Sequence, residues 1–386
     1  MPPAAMNNEQ LLARLVAFDS TSNRSNVPIA DFICEYLDRP DVEIVRNENA
    51  SGEKVSLVAL VGPPLESSHG GGLLLSGHMD VVPATEPGWT SDPFKLARHD
   101  GAYYGRGTCD MKGFVALAMN VFAHVDPASL KKPLVLVLTD DEELGSLGAQ
   151  RLARSWPDGQ PLPRNAIIGE PTSLRVVRMH KGHLKMRITL HGRAAHSGSP
   201  HLGVNAIEPA WELLCALSEL RKHLESQRTA TSRYFPQTPF TVLTIAKIRG
   251  GEALNVIPER CEVDVGIRLL PGETSATVIA MIEGIAKGIA VPATVEVLGE
   301  NPPMLTDEAA WVHRAMCDEI SQHESLGVSY ASDAGWLSRM GMDCVLFGPG
   351  TIEVAHRPDE HLPIDEFEQA RVVIERMVRR SCIDAD

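Results

Sequence analysis

The apolar pattern of this chain changes character twice, and that double change limits the folds open to it. Up to about residue 180, strand and helix signals alternate. Val55 to Val61, Leu73 to Gly77, Leu134 to Thr139 and Ala166 to Gly169 are short apolar runs that suit buried strands. Leu11 to Phe18, Ile29 to Leu37 and Lys112 to His124 carry helical patterns, the last so apolar that it belongs inside the protein. Such alternation predicts a mostly parallel sheet covered by helices. After His180 the order becomes strand (Leu184 to Leu190), helix (Val204 to Leu224), strand (Phe240 to Ile248), strand (Cys261 to Leu269), helix (Glu273 to Ile289) and strand (Ala293 to Leu298). That is the β-α-β-β-α-β order of a ferredoxin-like α+β unit. A helix from Asp307 to His323, a buried strand from Cys344 to Phe347 and a helix from Ile364 to Arg380 then restore the first pattern. The expectation is an α/β domain made of residues 1–180 and 299–386, interrupted by a smaller domain at 181–298.

Length and charge narrow the function classes. A chain of 386 residues exceeds what one core usually serves. A net charge of −14 argues against nucleic acid or an anionic membrane as partner. The seven cysteines are scattered without a C-x-x-C pair, which predicts free thiols in a reducing compartment. No Lys or Arg precedes Arg14, no signal-type apolar region follows, and no run approaches the roughly 20 apolar residues of a membrane span. The expected location is the cytoplasm.

The chemistry collects where strands end. Open α/β sheets bind ligands beyond the carboxyl ends of their strands. His78 and Asp80 follow Leu73-Leu74-Leu75 and, two residues apart, project to one side of an extended backbone. A carboxylate beside an imidazole fixes one ring nitrogen and turns the other toward a metal. Gly105-Arg106-Gly107-Thr108-Cys109-Asp110 opens the apolar helix. Asp110 suits a helix N-cap, and equally a carboxylate bridging two metals. The glycines lack the third member of a dinucleotide fingerprint. Asp140-Asp141-Glu142-Glu143 follows another strand; it suits a helix N-terminus, or a divided task with Glu143 on a metal and Glu142 as general base. Glu170 ends the next strand, where a solvated loop residue or a ligand would both fit. His356 follows Gly348-Pro349-Gly350, and His361 reads as an ordinary loop histidine. Jointly, His78, Asp110, Glu143, Glu170 and His356 offer the imidazole and carboxylate donors that suit Zn²⁺ or Co²⁺ better than Ca²⁺. A shared carboxylate would hold two ions about 3.5–4 Å apart.

From Ser76 to His361 these segments resemble, in order, the dinuclear-zinc deacylase and exopeptidase family. That family includes acetylornithine deacetylase, succinyl-diaminopimelate desuccinylase, aminoacylase and glutamate carboxypeptidase. The resemblance implies two Zn²⁺ ions, replaceable by Co²⁺, with His78, Asp110 and Glu170 on one and Asp110, Glu143 and His356 on the other. It implies Asp80 as the partner of His78, Glu142 as acid/base, and a cis Asp110–Met111 peptide. Gly192 to Gly198 is similar to the family's lid motif, in which a histidine, here His196, crosses a homodimer interface to polarise the scissile carbonyl. Asn255 and Arg268 lie in segments similar to those that bind the substrate carboxylate; an Arg fork suits that task.

Within the family, the segments His180 to His183 and Gly203 to Glu208 look most like the acetylornithine deacetylases. The implied reaction is hydrolysis of the N-acyl amide of a small amino acid, N2-acetyl-L-ornithine above others, a step of arginine biosynthesis. Asp333 lies where relatives place a substrate-recognition loop, often with Glu, and is expected to meet a cationic side chain. An acetylcitrulline deacetylase, a succinyl-diaminopimelate desuccinylase and a dipeptidase or carboxypeptidase would share the metal residues. A metal-binding dimer without turnover is the alternative outside enzymes.

Overall fold

In the computed structural model, which describes residues 6–65, 67, 71–157 and 159–384, the chain divides into two compact units. The first comprises residues up to Arg178, Leu305–Leu326 and the chain from Ser332 onward; the second comprises Met179–Met304 and Gly327–Ala331. The return of 327–331 to the second unit has no counterpart in the division expected from the sequence.

The first unit is built on a six-stranded sheet in the order Val42–Glu48, Val55–Val61, Leu134–Thr139, Leu73–His78, Asn165–Ile168, Asp343–Leu346. The last four are parallel, and the first two join them antiparallel. Leu73, Leu74, Leu75, Leu134, Val135 and Val137 have no exposed surface, as strands covered on both faces require. Each such side chain contributes about 1.5–3 kcal/mol by leaving water. In register, His78 lies opposite Thr139, and Ser76 and Leu346 both lie opposite Ile168. The parallel strands therefore deliver His78, Thr139 and the Gly169-Glu170 segment to one edge of the sheet.

The apolar helix Gly113–His124 packs beneath that edge, and its approach to the sheet is close. A Cβ on Gly169 would lie 2.0 Å from the Phe114 ring, so only a glycine fits between them. The preceding stretch, Thr108–Lys112, is a wide irregular turn in which Asp110 leaves helical geometry at φ −123° and ψ 91°. Asp110 is thus not the N-cap; Lys112 holds that place. The Asp110–Met111 peptide is cis.

Two helices are shorter than their patterns suggest. The segment expected as helix from Asp307 to His323 is helical only over Trp311–Glu319. Asp307 Oδ1 accepts the Ala309 N–H at 2.8 Å and starts a turn instead, while the Gln322 side chain bonds both backbone groups of Val176. The helix expected from Val204 begins at Ala210. Val204 is held in extended pairing with Arg193, and Asn205 Oδ1 accepts the Ile207 N–H at 2.9 Å.

The second unit carries an antiparallel sheet in the order Val242–Gly250, Arg260–Arg268, His183–His191, Ala293–Asn301, with helices Ala210–Ser226 and Ser275–Lys287. Alternate residues Leu184, Met186, Ile188 and Leu190 face its core with Leu213 and Leu217 of the first helix. This is the ferredoxin-like arrangement that the alternating pattern predicts.

Candidate metal centre and active site

Two ligand sets meet on one carboxylate. His78, Asp110 and Glu170 form one group and Asp110, Glu143 and His356 another, with the donor atoms of each within 4.8 Å of one another. Asp110 divides its oxygens between them: Oδ1 lies 3.0 Å from His78 Nε2 and Oδ2 lies 3.2 Å from His356 Nε2. His356 Nε2 also meets Glu143 Oε1 at 2.9 Å. His78, Asp110 and Glu170 are buried, whereas the His356 side chain is 46% exposed. The backbone of His356 is left-handed at φ 62°, an uncommon conformation for a residue other than glycine.

The donor set fits two cations on structural grounds. His78 Nδ1 can only donate to the Asp80 carbonyl, 2.9 Å away, so the neutral ring keeps a bare Nε2 facing Asp110. Glu170 Oε1 is buried and has no hydrogen-bond partner among the described residues. An unpaired buried carboxylate oxygen is costly unless a cation meets it. The charge balance agrees. Burial raises the pKa of Glu170, Glu143 and Glu142, and neighbouring carboxylates raise them further. Burial disfavours the His78 imidazolium, but Asp110 outweighs it and the pKa rises well above the ordinary value. Hydrogen bonds to Asp110 and Glu143 carry His356 up to about 10. Those same bonds hold Asp110 below the usual carboxylate range despite its burial.

Asp80 has a wider task than the sequence suggests. Its carboxylate lies 3.6 Å from His78 Nδ1, and the ring takes the Asp80 carbonyl instead. Asp80 Oδ1 accepts the Glu142 N–H at 3.1 Å and Oδ2 the Glu143 N–H at 3.2 Å. Oδ2 also accepts the Ser22 hydroxyl at 2.8 Å. One carboxylate thus ties the strand end at His78 to the loop that carries the acidic pair.

Sequence reasoning missed Arg106 and Glu360. Glu360 Oε1 accepts the backbone N–H groups of Cys109 at 3.0 Å and Asp110 at 3.1 Å, while Oε2 pairs with Arg106 at 2.8 Å. Arg106 and Glu360 are each 1% exposed. Arg106 also bonds Glu86 and lies over the Trp89 ring. The only signal in the chain was their place inside the two motif segments, as charged residues with no assigned work.

Comparison with known proteins agrees with this geometry. The profile of peptidase family M20/M25/M40 matches residues 74–380. The chain belongs to this family. It is 36% identical over 379 residues to an acetylornithine deacetylase of Myxococcus xanthus, covering 96% of each chain. It is 33% identical over 382 residues to an acetylornithine deacetylase of Proteus mirabilis, covering 97% of this chain and 95% of that one. In fold it is similar to an M20 family metallo-carboxypeptidase of Sulfolobus solfataricus, with TM-score 0.76 at 17% identity, covering 97% of this chain and 99% of the other. A dinuclear metal binding peptidase of the M20 family from Bacillus subtilis superposes with TM-score 0.66 at 16% identity, covering 96% of each chain.

As a member of peptidase family M20/M25/M40, the chain is a metal-dependent hydrolase with the family's α/β fold. The remaining expected site residues fall in both units. His196 is exposed in the second unit, and its Nδ1 accepts the Gly198 N–H at 3.0 Å. The neutral ring therefore presents Nε2–H as a donor. Asn255 is exposed, and its carbonyl accepts the Ser197 N–H at 2.9 Å. Arg268 is half-buried, and burial lowers its pKa. Asp333 completes the expected set. It is 2% exposed, its Oδ2 accepts the Thr139 hydroxyl, and it lies in the first unit at the start of helix Ala334–Arg339. Burial raises its pKa to about 6. The carboxyl is enclosed and engaged by the Thr139 hydroxyl.

Proposed function

We propose that this chain deacetylates N2-acetyl-L-ornithine to L-ornithine and acetate. The observation that carries this reading is the pair of ligand sets sharing Asp110, with Glu142 beside them. The near full-length similarity to curated acetylornithine deacetylases supports this substrate. His78, Asp110 and Glu170 would hold one Zn²⁺ and Asp110, Glu143 and His356 the other, with Co²⁺ as a substitute. Such ions supply Lewis acidity toward the carbonyl and lower the pKa of water.

The protein's own groups do the rest. Glu142 takes the proton of the attacking water as its oxygen adds to the acetyl carbonyl. The amide C–N bond then breaks, and Glu142 returns the proton to the departing amine. Asp80 keeps Glu142 in place through its backbone N–H. His196, with Nε2–H available, donates to the developing oxyanion. Arg268 and Asn255 bind the substrate carboxylate.

In this reading His196 serves a neighbouring subunit, and the second unit forms a homodimer. Trp211, Leu254, Ile248 and Leu298 of that unit are exposed apolar residues of the kind an interface covers. A cytoplasmic location is proposed with it; no helix among the described residues is long and apolar enough to cross a membrane.

The test is hydrolysis by Zn²⁺- or Co²⁺-loaded protein of N-acetylornithine, N-acetylcitrulline, N-succinyl-diaminopimelate and a dipeptide, side by side. A kcat/KM advantage of about tenfold or more for acetylornithine is the expected result. Comparable or faster cleavage of the dipeptide would move the chain to the peptidases of its family. Absence of turnover with metal bound would leave a metal-binding protein.

A further inference from the structure

A line of buried hydroxyl and carboxyl groups runs behind Glu142. Thr139, the last residue of its strand, donates its hydroxyl to Asp333 Oδ2. The Ser146 hydroxyl is near enough to the Asp333 carboxyl to favour its charged form. Ser146 Oγ in turn donates to Glu142 Oε1 at 3.3 Å. Thr139 and Ser146 have no exposed surface. Ser146 has one proton to donate and gives it to Glu142, so the two side chains fix each other's positions.

The backbone argues that the hydroxyl matters here. Ser146 is left-handed at φ 59°, a conformation that glycine adopts without cost. The turn itself closes through main-chain bonds, since the N–H groups of Gly145 and Ser146 both reach the Glu142 carbonyl at 2.8 Å. A buried serine in a strained position, where glycine would relax the chain, is explained by a side-chain contact. The contact present is the one to Glu142.

We propose that Ser146 is a positioning residue that aims the Glu142 carboxyl at its working angle, with Asp333 and Thr139 bracing it from behind. This rests on Glu142 as the general base. Ser146 touches no substrate atom in this scheme; it acts through Glu142.

The experiment compares S146A, S146G and E142Q in the metal-loaded protein. S146A and S146G are both expected to lose kcat by about tenfold to a hundredfold, as a small misalignment of a reacting group does. KM for acetylornithine and the bound metal per chain are expected to stay unchanged. S146G relaxes the backbone, so it keeps the test valid where S146A folds poorly. Wild-type kcat in both Ser146 variants would overturn the proposal. So would recovery in S146G of what S146A loses, because the backbone alone would then explain the site. E142Q separates the two readings. Loss of turnover in E142Q with active Ser146 variants leaves the general base standing and removes Ser146. An active E142Q removes the general base and the Ser146 role with it.

Discussion

The Glu360 carboxylate holds the backbone of Asp110 from behind, accepting its N–H at 3.1 Å while Arg106 neutralises the other oxygen. The shared carboxylate of the metal centre is therefore placed by an ion pair that faces away from the metals. Removing Glu360 strands a buried guanidinium and two backbone donors. Glu360→Ala is expected to cost about 3–5 kcal/mol in urea unfolding. Glu360→Gln keeps one acceptor and is expected to cost less. Equal stability of Glu360→Ala and the wild type would show that Glu86 alone satisfies Arg106.

Gly169→Ala places a methyl group against Phe114. The expected loss is about 1–3 kcal/mol, with lower kcat because Glu170 follows directly. Adding Phe114→Leu to the same chain is expected to restore part of both. A double variant no better than Gly169→Ala would mean that the strand end, not the ring contact, carries the strain.

Asp333→Asn separates a bracing role from substrate recognition. Bracing predicts a fall in kcat of similar size for acetylornithine and for acetylmethionine. A rise in KM confined to acetylornithine would return Asp333 to the substrate pocket.

His180 sets a limit on acid stability. It is buried, and burial with the charge of Arg268 lowers its pKa from 6.5 to about 4. Above 6.5 the imidazole is neutral in both folded and unfolded chains and has no effect. As pH falls from 6.5 to about 4, the unfolded chain binds the proton first, so the folded state loses stability. The loss from this one group is on the order of 3 kcal/mol. Measured against His180→Leu, the wild type is expected to lose on the order of 3 kcal/mol of unfolding free energy between pH 7.5 and pH 4. A constant difference would show that His180 titrates normally in the fold.

Metal addition is expected to release protons. A metal takes the lone pair of a ring nitrogen, so any proton that the neighbouring carboxylates keep on His78 or His356 must leave when it binds. Zinc titration of chelator-treated protein near pH 7, in buffers of different ionisation enthalpy, measures the number released. Zero release would contradict the ligand sets.

Much of the site could be read in the chain because its residues follow long local signals. Leu73 to Leu75 and Leu134 to Leu138 announce strands, and His78, Glu142 and Glu143 come directly after them. Glu170 was legible for the same reason. The supports were not, because their partners are remote. Glu360 meets Asp110 across 250 positions and Asp333 meets Thr139 across 194, distances at which no local pattern operates. Asp80 shows a subtler limit. Its spacing from His78 is right, yet the ring takes its carbonyl, and the freed carboxylate gathers a different loop. The helix starts at Asp307 and Val204 were overread because apolar periodicity begins before a side-chain turn and an isolated bridge let the helix start.

The unequal burial of the two ligand sets has a kinetic meaning. His78, Asp110 and Glu170 are buried, so an ion held there would have to shed its water, while one held by His356 would have a solvent-facing ligand. Loading would then be sequential, and departure would run in reverse. A chelator is expected to strip the outer position first and leave a singly occupied protein for a time. Catalysis in a cell short of metal would be governed by refilling that outer seat, long before the fold itself registers the shortage.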